Sequence, residues 1–249
     1  MTTTTRRGRH AVAAQTRAEL VLTLRRGESL LVSFAIPIGI LVFFSKVDAI
    51  TTDFKDPVDF LVPGVLALAV MSTAMVSLAI ATGYERRYGV LKRLGSTPLS
   101  RGGLLAAKTA NVIAIEIVQA VVIVITGIAL GWELTGGVVL AALFLLLGTI
   151  AFAGIGMLMA GTLRAEATLA TANGVFLVLL FIGGMAYPLD KLPTVLEEIA
   201  KVLPAAALSE SVRGALTPGV GVPGWSIVVL ALWAIGAPLL AARFFRWEE

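Results

Sequence analysis

Long apolar runs, each nearly free of Asp, Glu, Lys and Arg, recur along this chain and decide which solvent it folds in. Each is about 20 residues, the length a helix needs to cross the hydrocarbon core of a bilayer. Of its 249 residues, 57% are hydrophobic and only 14% charged. A water-soluble domain clothes itself with roughly a quarter charged residues, so this chain belongs in lipid. Hydropathy marks six spans, at 29–44, 60–81, 104–130, 138–161, 169–187 and 225–244. The expected fold class is an all-α integral membrane protein. Its first span is short and carries Pro37, which predicts a tilt or kink. No small-x-small cleavage site follows Phe43-Phe44-Ser45, which favours an uncleaved span over a signal peptide.

The residue inventory removes several kinds of chemistry. Without cysteine there is no disulfide or zinc-thiolate site, and the single histidine, His10, lies in an N-terminal stretch of Thr and Arg. Ser-His-Asp triads and histidine metal clusters are therefore excluded, and no catalytic, metal or cofactor site is expected. The net charge of +4 comes from basic residues placed beside spans. Membrane topology and anionic lipid account for them, and nucleic acid is not an expected partner.

Lys/Arg bias gives the orientation. Arg6, Arg7, Arg9, Arg17, Arg25 and Arg26 precede the first span, and Arg86, Arg87, Lys92, Arg93 and Arg101 fill the second loop. The first and fifth loops lean acidic, with Asp48, Asp53, Asp56, Asp59, Asp190, Glu197, Glu198 and Glu210. Both termini and the even-numbered loops are expected in the cytoplasm of a plasma-membrane protein.

Between the spans, four regions carry pattern. Residues 1–10 read as a disordered tail. Residues 11–27 can form a helix with Ala13, Leu20, Val21 and Leu24 on one face and Gln15, Glu19, Thr23 and Arg26 on the other. It would lie in the inner interface or stand in solvent. In the second loop, 84–101, Val90, Leu91 and Leu94 predict a short amphipathic helix that exits through Gly95-Ser96-Thr97-Pro98. In the fifth loop, 189–224, Leu192, Val195, Leu196, Ile199, Val202 and Leu203 recur at helical spacing after Pro193. Pro204 there opens a second short helix reaching Leu216.

Gly102-Gly103-Leu104-Leu105-Ala106-Ala107-Lys108-Thr109 nearly matches a phosphate loop, with Ala107 in place of the second glycine. A phosphate loop follows a strand, whereas this segment enters a span, so Lys108 is expected to snorkel to the interface. Glu116 lies deep in the third span, with Asn111 and Gln119 about one turn either side. It reads either as a substrate or proton contact or as a protonated or hydrogen-bonded packing residue. Met71, Ser72, Thr73, Met75, Ser77, Asn173, Phe176 and Phe181 could line a cavity, or pack and face lipid. Gly127, Gly131, Gly148, Gly154, Gly156 and Gly161 are expected to permit close helix packing.

Taken together, Glu85 through Ser100, Gly102 and Lys108, then Met185-Ala186-Tyr187-Pro188-Leu189, Leu192-Pro193, Leu203-Pro204 and Arg213, resemble a type-2 ABC exporter permease. The resemblance covers nearly the whole chain. It implies a permease domain over 28–249, an interfacial helix at 11–27 and an extracellular re-entrant helix pair after the fifth span. It also implies a homodimer paired with two ABC ATPase subunits, which hold ATP and Mg2+. Glu85, Arg86, Arg87, Tyr88, Gly89, Leu91, Leu94, Thr97 and Pro98 would then form the coupling helix and its exit. The implied cargo is an amphiphilic drug or lipid-like compound held between the second and fifth spans, and Met71, Ser72, Met75, Glu116, Asn173, Phe176 and Phe181 are the candidates to line its cavity. No large external domain and no dense aromatic belt are present, which argues against a polysaccharide path. A six-span channel or lipid scramblase that needs no ATPase is the alternative from another class.

Overall fold

The computed structural model describes residues 2–25, 27–47, 56–95 and 100–246, and every regular element among them is helical. Helix α1 covers Thr2–Arg25 and α2 covers Gly27–Lys46. Residues 2–10, expected as an irregular tail, belong to the first turns of α1. Helices α3 (Pro57–Val70) and α4 (Leu78–Arg87) are joined through a π-helical segment, Met71–Ser77. A short α5 (Val90–Gly95) follows, then α6 (Arg101–Ala129), α7 (Val138–Thr162) and α8 (Ala165–Ile182). After a 3₁₀ turn at Leu189–Lys191 come α9 (Thr194–Lys201), α10 (Pro204–Leu216) and α11 (Gly224–Phe244).

Among the described residues, five helices are long and apolar enough to cross a membrane: Pro57–Arg87, Gly102–Ala129, Val138–Thr162, Ala165–Ile182 and Gly224–Phe244. This is a multi-pass, all-α membrane protein. The expected first span is α2, whose described apolar part, Ser33–Lys46, falls short of that length. Pro37 sits inside it without ending it. The opposite excess occurs next. Pro57–Arg87 runs 31 residues, about 46 Å at 1.5 Å per residue, against a hydrocarbon core of roughly 30 Å. Even at the usual tilt of about 20° it outruns the lipid tails, and the charged turn Glu85-Arg86-Arg87 marks the end suited to project.

That projection corrects the expected loop helix. Glu85, Arg86 and Arg87 do not open a separate short helix; they are the last turn of the long one. The break falls at Gly89, whose φ of +70° is a conformation that a side chain disfavours. The Gly89 amide donates to the Arg86 carbonyl (3.0 Å) and the Tyr88 amide to Tyr84 (2.9 Å), closing the helix end. At the start of α6, the Ser100 hydroxyl accepts from the Gly103 amide at 3.0 Å, an N-cap that satisfies a donor no helical carbonyl can reach.

Small residues on α7 set the middle of the bundle. A Cβ on Gly148 would fall 2.6 Å from Leu208 of α10, on Gly154 2.5 Å from the Pro238 backbone of α11, and on Gly156 2.8 Å from the Met75 carbonyl. Gly127 likewise meets Val62 and Gly161 meets Phe245, as close packing predicts. Gly131 differs: it faces open space, and its φ of +100° serves the turn after α6. Helix α10 is buried along almost its whole length against α3, α7 and α11, whereas α9 exposes Val195 and Ile199, and Val202 just after it is exposed too.

Candidate functional site

At the end of the long helix, three charged neighbours point to three different places. Lys108 of α6 is buried, 1% exposed, with its Nζ 2.8 Å from Glu19 Oε1 and 2.7 Å from Glu85 Oε2. It does not snorkel. It joins α1, α4 and α6, and the phosphate-loop likeness dissolves because the segment is helical and its cation is held by two carboxylates. Arg86 is buried too, and its Nη2 donates to the Leu163 carbonyl at 2.6 Å. Arg87 forms an ion pair with Glu166 at the start of α8. The root of α5 is thereby tied to α1 and α6 on one side and to the α7–α8 turn on the other.

Beyond this root, the loop divides. Leu91 is fully buried and Leu94 packs partly against the core, while Tyr88 is 70% exposed and Val90 43% exposed. The Tyr84 and Tyr88 rings stack at 6.2 Å. Thr97 and Pro98, expected at the exit, lie outside the described residues.

Helix α1 turns its polar stripe inward. Gln15 donates to Glu19 (2.9 Å), and Asn111 of α6 donates to Thr23 (3.1 Å). Val21, Leu22 and Leu24 face outward and are exposed. Exposed leucine beside a buried Glu–Lys pair is the reverse of a soluble helix and suits one lying against lipid.

Deeper in the bundle, Lys108 and Gln119 lie eleven residues, about three turns, apart on one stripe of α6, with Asn111 flanking it. Gln119, 1% exposed, accepts from Thr73 of the π-helical segment (3.0 Å) and donates to the Ser33 carbonyl of α2 (2.9 Å). Glu116 is rotated off that stripe toward α7, where Thr149 Oγ1 donates to its Oε2. Asn111, Glu116 and Gln119 are thus three separate contacts rather than one cluster. The sequence drew attention to Glu116 as a lone carboxylate. Its partner, a threonine in the Leu-rich run Leu145-Leu146-Leu147-Gly148-Thr149, gave only the weak signal of a hydroxyl among leucines.

The Glu116 side chain lines a pocket of about 250 Å³ between α3, α6 and α7, with Leu66, Val70, Ala120 and Leu145 among its walls. The other residues expected around a cavity are dispersed. Met71 and Met75 are fully buried in the core, and Ser72 is half-buried. Asn173 is exposed and donates to its own helix at the Leu169 carbonyl (2.8 Å). Phe176 packs partly on the core and Phe181 is 67% exposed.

At the opposite end, Arg213 of α10 pairs with Glu210, donates to the Gly184 carbonyl (2.6 Å) and lies 4.0 Å above the Phe60 ring. Burial holds the Glu210 carboxyl above its ordinary value, and the Arg213 charge opposes that rise. This cluster pins the turn after α8 to the start of α3.

Residues 10–217 match the family described as ABC-2 type transporter. The chain is also similar to the candidate transport permease YvfS of Bacillus subtilis (strain 168). The two are 25% identical over 250 residues, which cover 94% of this chain and 96% of that protein.

Proposed function

This chain belongs to the ABC-2 type transporter family, and on that premise we propose that it is the permease of an ATP-driven exporter of amphiphilic compounds. Six spans cross the plasma membrane, α2 being the first, and both termini face the cytoplasm. Helix α1 lies in the inner interface, and α9 and α10 form a pair that re-enters from the outside. Two copies face each other, and each engages one ABC ATPase, which holds ATP and Mg2+. The permease itself contributes no hydrolytic site.

One observation carries the reading. Tyr88 and Val90 stand exposed on a short element whose root is held by ion pairs to α1, α6 and α8. An exposed tyrosine and valine beside Lys92 and Arg93 suit a cleft in a soluble partner. A push there is delivered to three helices through Glu85, Arg86 and Arg87 rather than absorbed by a loose loop. ATP-driven closure of the partners needs such a rigid element, because a nucleotide shifts the permease only by contacting its two arrangements unequally.

The test is co-purification of this chain with a co-expressed ABC ATPase of the same family. Val90→Asp should abolish association and ATP-dependent transport while leaving the purified permease's melting temperature unchanged. Undiminished association and transport would defeat the docking assignment.

A further inference from the structure

We propose that the pocket between α3, α6 and α7 is a binding site for a small lipophilic amine, with Glu116 as the residue that recognises its nitrogen. Glu116 lies near the middle of α6 and is 8% exposed. Its two oxygens are in different situations. Oε2 accepts from Thr149, whereas Oε1 is buried with no hydrogen-bond partner among the described residues. In an apolar setting a carboxyl group keeps its charge only where something supplies a donor or a positive charge, and otherwise takes up a proton. Every other wall of the pocket, apart from the Thr149 hydroxyl, is aliphatic. That hydroxyl has a single proton, offered to Glu116 or to the Leu145 carbonyl at 2.9 Å, and none left for a ligand.

The lining therefore selects by chemistry. A ligand carrying only acceptors, or an anion, would set lone pairs against the carboxylate. A protonated amine brings both the donor and the countercharge, and its hydrocarbon body replaces nothing but contacts with leucine, valine and isoleucine. Ile117, Val121 and Leu146 border the pocket and are themselves exposed on the bundle surface, so the approach is lateral, from the hydrocarbon phase. The space of about 250 Å³ is small beside the roughly 300–1,000 Å³ of drug sites, and it suits a body the size of one fused aromatic pair or a short alkyl chain. A lipid headgroup carried to mid-span would have to bring its phosphate with it, and the site has no donor to receive that phosphate.

This assignment rests on the export reading for its purpose but not for its test, which needs no ATPase. Radiolabelled 1-naphthylmethylamine and its neutral isostere 1-naphthylmethanol are titrated onto the full chain in phosphatidylcholine nanodiscs, with empty discs subtracted. The amine should bind about ten-fold more tightly than the alcohol, as one charge-assisted hydrogen bond would give. Glu116→Gln should remove that preference, bringing amine affinity down to that of the alcohol. Leu146→Trp, which fills the pocket and keeps the carboxylate, should weaken both ligands at least about ten-fold. Equal binding of amine and alcohol to the unmodified chain overturns the proposal, as does amine binding that survives Leu146→Trp. Lost ATPase association with amine binding intact would count against the export reading alone.

Discussion

Lys108 and Glu85 meet at 2.7 Å across the α4–α6 boundary, the lysine buried as deeply as the leucines around it. With Glu19 on the far side of the same ammonium, one cation holds two carboxylates on two other helices. Removing one partner of a buried pair leaves the rest uncompensated, which costs about 3–5 kcal/mol, whereas replacing the whole group is often close to neutral.

Lys108→Met should therefore destabilise the purified chain by about 3 kcal/mol, because it strands two carboxylates. The triple variant Glu19→Gln, Glu85→Gln, Lys108→Met should recover most of the loss. Thermal melting in detergent compares them; a single variant as stable as the parent would show that the triad holds nothing together.

Leu91 and Tyr88 separate folding from docking. Leu91→Asp puts a charge at a fully buried position and should lower stability and abundance together. Tyr88→Ala changes a side chain that is 70% exposed and should leave melting within about 0.5 kcal/mol, reducing only association with the ATPase. Parallel melting and pull-down measurements on the two variants distinguish the effects.

Gly156 tolerates no side chain where it crosses the π-helical segment, since a Cβ would lie 2.8 Å from the Met75 carbonyl, a backbone atom that cannot rotate away. Gly156→Ala should cost about 1–3 kcal/mol as α7 is forced off its neighbour. Gly174 faces open space, and Gly174→Ala should be neutral or slightly stabilising through helix propensity. Equal melting temperatures for both variants would contradict this packing.

Gln119→Leu should release both Thr73 and the Ser33 carbonyl, detaching α6 from the π-helical segment and from α2. Interhelical hydrogen bonds in membranes average about 0.6 kcal/mol, so a total near 1 kcal/mol is expected. Hydrogen exchange at Met71–Ser77 should rise by more than that at α7 and α11. Uniform exchange across the helices would mean that the link has no local role.

Most of the helical inventory could be read from the residues. The long apolar runs, Pro204 at the start of α10 and the glycines of α7 each act through local geometry that a linear pattern reveals. Misread features share another property: their meaning depends on which neighbour is opposite. Lys108 was expected to reach water because nothing near it in the chain offers a carboxylate; Glu85 lies 23 residues away and Glu19 lies 89 away. The polar stripe of α1 gave no sign in the sequence of its destination, which is α6. The helix break at Gly89 rather than before Glu85 was hidden because Glu-Arg-Arg continues a helix as readily as it begins one.

By itself, then, the sequence determined that this chain lives in a bilayer as a set of helices, because the cost of burying charge and unpaired backbone in lipid depends on each segment's own residues. Which oxygen of Glu116 is left unpaired, and that Lys108 rather than water satisfies Glu85, was decided only when the helices packed. Those outcomes follow from distances between residues far apart in the chain, and no stretch of sequence contains a distance.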